Sequence, residues 1–584
     1  MDDNLHIELP SEDERPPLLP YNYFPAALAA ISESHDAQNR HLFVLPGAQL
    51  VPQDQALSYV VSAATMRDPA KMAAFLLSLE PAIDVAEANQ SCFLGHETTL
   101  AETNQPRAQT LIQPQLPDDG PYARVVVVID HGIAFWNRAF LLAGTTRFTE
   151  IQYLDFDAGN PLAPLPVGRL SAADLASLCA EADLPNGPAA VLKTLKKQFP
   201  RSFYGSYPPP NPDALWHGTA IADIAAPNDG GKTALFGVEL PDAALRDWGG
   251  DTLQYVLPTA LRAALKMTNA LSHLPLVIVL PFAFTAGPHD GSHPIAQYIK
   301  TELDRVRPAR TVSLVLPAGN HLQDQCTAFV PQSGPGPGAS SISWHVPPDD
   351  FSANTVEIVV ENVALDMNRP RIDITAPGGS TVQAELLPNQ VARLRMRGEV
   401  IGILKRAADV GGNGRYRLST TPTGWLKGSV HPAPFGTWQI SIATTQPATL
   451  WVLRDERDSG SDMARPNRGS YFTDPKYRVR DPNGAYFLAD MPVNSLRRSG
   501  TGSVLATAGG PETVAALESL GPNAAQPAYY SGRDIAGRSY TRSVLVDDGY
   551  EGRGVNAVGN GTDRVFRVSG TSAASALVAR DLYR

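Results

Sequence analysis

Four short stretches of this 584-residue chain place reactive side chains beside turn-forming or small residues. Asp130 directly follows the run Val125 to Ile129. His217 opens the stretch His217-Gly218-Thr219-Ala220-Ile221-Ala222. Asn320 ends Leu316-Pro317-Ala318-Gly319-Asn320. Ser572 lies in Ser569-Gly570-Thr571-Ser572-Ala573-Ala574. Taken singly, each has a structural reading: an Asp after a strand or an Asn after Gly forms a turn, and a Ser at a helix start is a cap. Taken together, they supply the parts of nucleophilic acyl transfer. A serine hydroxyl is a poor nucleophile until an imidazole takes its proton. The imidazole needs a carboxylate to fix its tautomer, and the tetrahedral oxyanion needs donors. Here those donors are the Asn320 side chain and the Ser572 backbone N–H at a positive helix end.

The surrounding pattern predicts the elements that hold these residues. Arg124 to Ile129 is a continuous β-branched run, the mark of a strand buried on both faces of a parallel sheet. Similar runs follow at 234–238, 276–280 and 312–316, with helical stretches at 217–226, 253–267 and 295–306 between them. This alternation predicts α/β architecture around a parallel sheet. Ligands in such sheets bind beyond the carboxyl ends of the strands, and Asp130 and Asn320 fall there. After the breaker Pro331 to Gly338 the hydrophobic period changes to two, as in Val356-Glu357-Ile358 and Trp438-Gln439-Ile440, with a hairpin signal at Asn413-Gly414. Residues 341–457 therefore read as an antiparallel β-sandwich.

In the order Asp, His, Ser, the segments Val-Val-Val-Val-Ile-Asp130-His-Gly132, His217-Gly218-Thr219, Pro-Ala-Gly319-Asn320 and Gly570-Thr571-Ser572-Ala573-Ala574 resemble the signature motifs of subtilisin-like serine peptidases, family S8. Phe236 to Leu240 resembles the family strand after the His helix. The resemblance covers roughly 120–330 and 500–584. It implies a serine endopeptidase acting on protein or peptide substrates, with Asp130 orienting His217, His217 as general base and acid, Ser572 as nucleophile and Asn320 in the oxyanion hole. By position it assigns Phe282, Ala283, Ala318 and Gly319 to substrate binding. It implies no cofactor beyond a structural calcium ion and no metal in the chemistry. The alternative is a catalytically silent or latent binding protein of the same fold, activated by a regulatory protein partner.

Several residues depart from the family pattern. His131 stands where Ser or Thr is usual. Leu280-Pro281-Phe282-Ala283 replaces the Ser-x-Gly of the substrate-pairing strand, and a proline there removes a backbone donor. No proline follows the Gly-Thr-Ser-Ala-Ala run. From Asp130 to His217 is 87 residues and from Asn320 to Ser572 is 252, so the β-rich unit is inserted between oxyanion residue and nucleophile. Gly436-Thr-Trp438-Gln-Ile440 resembles a segment of the jelly-roll domain of kexin-type relatives.

The expected organisation is a disordered tail at 1–20, a helical region at 21–118 (with 56–79 as a helix), a first catalytic part at 119–335, the insert at 341–457, and a loop and second catalytic part at 458–584. Strands are expected around 504–508 and 565–568, and a helix at 572–583. A rigid proline loop is expected at 207–212. His289-Asp-Gly-Ser-His293 has metal-like spacing but no evident third ligand, and no loop has the EF-hand spacing. Net charge is −11, which disfavours nucleic acid as a partner. Three scattered cysteines, an acidic start and no apolar run near 20 residues predict a cytoplasmic protein without a secretory signal or membrane span.

Overall fold

The computed structural model describes residues 4–8, the strands at 39–44, 57–62 and 92–95, and most of 122–583; the longer stretches outside the description are 155–166, 200–215, 241–252, 332–339, 407–411, 425–431, 454–468, 534–539 and 548–553. The architecture is mixed α/β. A nine-stranded sheet has Arg124–Asp130 at its centre, flanked by Thr233–Glu239, Phe148–Leu154 and Val167–Ser171 on one side. On the other side come Leu276–Val279, Val312–Pro317 and Glu512–Gly521, the last pairing both Ala524–Pro527 and Arg542–Asp547. All pairings are parallel except those of Val167–Ser171 and Ala524–Pro527.

The valine run explains the central strand. Val125, Val127 and Ile129 join the core formed with the helices Leu253–Met267 and Pro294–Val306. Val126 and Val128 face the opposite core, which contains the helices Ala172–Ala182, Gly187–Gln198, His217–Ala225 and Thr571–Asp581. A strand covered on both faces has no use for alternating polar residues. At its first residue the buried Arg124 reaches the far end of the Ser572 helix and donates to the carbonyls of Ala579 (3.2 Å), Arg580 (2.8 Å) and Leu582 (2.6 Å). A guanidinium there satisfies orphan carbonyls and complements the negative helix end. One strand thus holds Asp130 at its C-terminus and anchors the Ser572 helix at its N-terminus.

Between Asn320 and Glu512 the chain supplies seven strands of an eight-stranded antiparallel sheet and all of a five-stranded one, whose buried residues form one shared core. Trp344 and Trp438, facing each other across paired strands, are fully buried in it. This unit is wider than residues 341–457. It begins with Thr327–Val330, and the stretch 458–500, expected as loop, supplies Tyr471–Thr473 and Leu496–Arg497. Short strands close these edges because the flanking chain must cross them to return to the parallel sheet.

Other segments also differ from expectation. Leu5–Glu8, placed in a disordered tail, is an edge strand of the eight-stranded sheet, antiparallel to Val391–Met396, with Glu8 paired to Arg395. Leu57–Ser62, expected within a helix, pairs with Asn39–Val44, which also pairs Cys92–Gly95. Tyr59, Val60 and Val61 are β-formers, and local propensity wins over the loose helical spacing. The rest of 21–118 and the 207–212 loop lie outside the described residues. Val504–Ala508 is a 3-10 turn rather than a strand. Among the described residues no helix is long and apolar enough to cross a membrane.

Candidate active site

Asp130 and His217 meet at the carboxyl edge of the parallel sheet. The Asp130 carboxylate is fully buried, and His217 Nδ1 lies 3.0 and 2.8 Å from its two oxygens. The His131 backbone N–H donates to Asp130 Oδ1 at 2.7 Å. Burial alone disfavours a charged imidazole, but the charge and hydrogen bond of Asp130 outweigh it, so the His217 pKa lies above its ordinary value. Because a carboxylate can only accept, Nδ1 carries the proton and Nε2 is left with its lone pair.

The loop after Asp130 also starts the His217 helix. Trp216 makes no side-chain cap. The first helical N–H groups instead find loop carbonyls: Gly218 N–H donates to His131 O at 2.8 Å and Thr219 N–H to Gly132 O at 3.0 Å. Thr219 Oγ1 donates to Gly132 O at 2.6 Å and accepts from Ala134 N–H at 2.8 Å. This latch needs Gly218, because a Cβ there would sit 2.6 Å from His131 O.

A second buried carboxylate holds the same loop from below. Glu239 ends the strand beside Asp130 and accepts from Gly132 N–H at 2.5 Å and Ile133 N–H at 3.1 Å, with His131 Nδ1 at 3.1 Å. Burial pushes its pKa up to about 7 against the pull of His131 and those two donors, with Asp130 adding repulsion. Sequence reasoning matched Phe236 to Leu240 as a strand and passed over Glu239. The available signal was a carboxylate closing an otherwise apolar strand.

Ser572 and Asn320 meet at the start of the neighbouring helix, which packs on the His217 helix. Asn320 Oδ1 accepts from Thr571 N–H at 3.0 Å and Thr571 Oγ1 at 2.9 Å. The backbone donor fixes which end of the amide is oxygen, so Nδ2 is the end left to donate. Thr571 Oγ1 also accepts from Gly319 N–H at 3.1 Å. Gly570 takes a positive φ of 108° before the helix, and its N–H donates to Tyr530 Oη at 2.9 Å. Tyr530 in turn bonds Asp547. Tyr530 and Asp547, both missed from sequence, thereby fix the turn that presents Ser572.

Ser572 Oγ does not bond His217. It donates to the Pro281 carbonyl at 2.9 Å. The next residue, Phe282, is half-buried with its ring centroid 6.0 Å from that of His217. A Cβ on Gly319 would stand 3.4 Å from the Ala283 methyl, so the segments 281–283 and 318–319 face each other closely. Ala318 O is taken by Ser503 N–H and Gly319 O by Gly532 N–H, both at 2.8 Å. Of the four positions assigned to substrate binding, Phe282 and Ala283 follow the Pro281 carbonyl on which the Ser572 hydroxyl rests, whereas Ala318 and Gly319 are buried with their carbonyls taken.

His289 and His293 each contact the backbone through a ring nitrogen. His289 Nε2 lies 3.1 Å from Thr285 O, and His293 Nδ1 caps the helix after it. Among the described residues no cluster of three or more His, Cys, Asp or Glu side chains is placed to hold a metal ion.

This architecture has a known counterpart. The fold is that of a protease. The chain is similar to the structure of the Clostridium perfringens CspB protease, with a TM-score of 0.55 and 16% identity over 79% of this chain and 81% of that one. A carbohydrate acetylesterase from Xanthomonas citri also aligns, at a TM-score of 0.12 and 8% identity over 53% of this chain and 80% of that one. No family model and no curated protein sequence matches the chain.

Proposed function

We propose that this chain is a subtilisin-like serine endopeptidase whose sandwich-like insert is a β domain placed within its catalytic domain. The observation that carries the reading is the buried Asp130 carboxylate on His217 Nδ1, beside the Thr571–Asp581 helix that carries Ser572. The fold shared with a protease supports the same reading.

In the proposed reaction Ser572 Oγ turns from the Pro281 carbonyl toward His217 Nε2. His217 takes the hydroxyl proton as Oγ bonds to the substrate carbonyl carbon. Asp130 keeps the imidazole in the right tautomer and stabilises its charged form. Negative charge on the former carbonyl oxygen is met by Asn320 Nδ2 and the Ser572 N–H. His217 then gives its proton to the leaving amine, and water, deprotonated by His217, hydrolyses the acyl-enzyme. The substrate class is protein or peptide.

A fluorophosphonate probe tests this, since it reacts with a serine whose base and oxyanion donors are assembled. The purified protein is expected to be labelled, and Ser572→Ala to lose all labelling. A wild type that stays unlabelled, alone and in cell lysate, refutes the active-enzyme reading.

A further inference from the structure

Between Tyr471–Thr473 and Leu496–Arg497, strands of the two inserted sheets, the chain turns out in a tight hairpin. Arg480 and Tyr486 pair across it, and Phe487 N–H donates to Val479 O at 3.0 Å. At its tip Asp481 Oδ1 accepts from Asn483 N–H at 2.8 Å and Ala485 N–H at 2.9 Å. The hairpin is fastened at both ends. The Arg498 guanidinium, in a side chain with 1% of its residue exposed, donates to Arg478 O at 2.5 Å and Ala489 O at 3.2 Å. Phe487 O accepts from Gln323 Nε2 at 2.8 Å, just past Asn320, and Leu488 O accepts from the Arg533 guanidinium, just past Tyr530.

A run of stacked groups leads from this hairpin to the proposed nucleophile. The Arg480 guanidinium lies 3.8 Å over the Tyr486 ring. Tyr486 stacks on Tyr529, with centroids 4.3 Å apart and planes inclined by 10°, and Tyr529 meets the edge of Tyr530 at 5.2 Å. Tyr530 Oη accepts the Gly570 N–H, and Gly532 N–H donates to Gly319 O at 2.8 Å. Residues 529–532 thus touch the hairpin and also the two turns that carry Asn320 and Ser572. Gly570 brings no side-chain cap to the Ser572 helix. The chain entering that helix is held instead by Asn320 Oδ1 at Thr571 and by the Tyr530 hydroxyl at Gly570.

We infer that the hairpin at 479–487 positions the proposed nucleophile: Tyr486 and Tyr530 are positioning residues that act on Ser572 through the Gly570 turn. The hydrogen bond at Gly570 is only as well placed as the phenol that accepts it, and the Tyr529 stack holds that stretch of chain against the insert. A parallel aromatic pair contributes beyond the area it buries. The effect on rate rests on the peptidase reading; the effect on the turn does not.

Two readouts on the full chain test this: amide hydrogen exchange of the peptide covering 569–574, and the maximal rate of fluorophosphonate labelling at saturating probe. Tyr530→Phe keeps the ring and removes the acceptor. Exchange is expected to rise about tenfold and labelling to slow by a similar factor, the size of one hydrogen bond. Tyr486→Ala removes the stack, and both readouts are expected to move by about threefold or more, with little change in the probe concentration that gives half the maximal rate. Tyr486→Phe keeps the ring and is expected to behave as wild type. Adding Tyr486→Ala to Tyr530→Phe is expected to change nothing further, because the link is already cut. Exchange at the wild-type level in both single variants overturns the proposal. So does a Tyr486→Ala effect that Tyr486→Phe shares, or one that adds in full to that of Tyr530→Phe. Exchange that rises while a labelled protein keeps its labelling rate also overturns it, since Tyr486 then supports the fold alone. A wild type that stays unlabelled counts against the peptidase reading, and the exchange of 569–574 still decides whether the hairpin holds the turn.

Discussion

Glu239→Gln isolates the buried carboxylate beneath the Asp130 loop. An ordinary glutamate loses its proton near 4.5, and Glu239 in the folded chain near 7. The folded state therefore holds a proton that the unfolded state has released between those values. For a group raised in this way, stability is fully present below the unfolded pKa and is lost as pH rises through the folded one. With about 1.4 kcal/mol per tenfold change, a gap of roughly 2.5 in pKa corresponds to about 3 kcal/mol. Urea unfolding of wild type and Glu239→Gln, at closely spaced pH values from about 4.5 to 7.5, reads this directly. Titrating groups out of reach of Glu239, His217 among them, contribute equally to both proteins and cancel in the difference. The wild type is expected to lose about 3 kcal/mol relative to the variant across that range. Gln also puts an amide where two N–H donors expect oxygen, leaving one buried donor unmet at a cost of about 1–3 kcal/mol. That penalty offsets the two curves without changing their relative slope. Parallel curves would falsify the argument that burial of this carboxyl is opposed but not overcome by Gly132, Ile133 and His131.

Three further outcomes are expected. Gly218→Ala forces a methyl into 2.6 Å contact with a backbone carbonyl; chemical unfolding should show a loss of about 1–3 kcal/mol, and fluorophosphonate labelling should slow with it. Asn320→Ala removes the proposed oxyanion donor, and turnover of a peptide substrate should fall by about 10²–10³ with a smaller change in KM; the magnitude comes from a subtilisin, the family this chain resembles. The His217 pKa is raised, and the proposed base works neutral, so activity should fall on acidification with a midpoint above the ordinary histidine value. A profile flat down to pH 5.5 contradicts that assignment.

The parallel sheet was legible because its inner strands are continuous apolar runs and its helices follow in alternation. Phe148–Leu154 escaped because Glu150 and Gln152 interrupt it. Both are buried: Glu150 pairs with Arg169 on the adjacent strand at 2.8 Å, and Gln152 donates to Glu150 at 2.6 Å. A polar residue whose partner lies on another strand reads locally as surface. Leu5–Glu8 was hidden for a related reason, since its charged neighbours mask a strand held by Arg395 and the edge at Val391–Met396. The proposed site residues stood out because His217, Asn320 and Ser572 each sit beside glycine or threonine and Asp130 closes the valine run. Their supports did not, because Glu239, Tyr530 and Arg124 act through backbone groups far away in sequence.

The insertion between Asn320 and Ser572 also sets a timetable. A ribosome adds about 5–20 residues per second, so Asn320 emerges on the order of ten to fifty seconds before Ser572, and Asp130 and His217 earlier still. For most of that interval Val312–Pro317 lacks its neighbour Glu512–Gly521, and throughout it the His217 helix lacks the Thr571–Asp581 helix that packs on it. The inserted sheets, with one core of their own, can be complete first. Biosynthesis thus delivers the proposed base and its carboxylate early and the proposed nucleophile late, so a nascent chain short of Ser572 lacks the group on which the proposed cleavage depends.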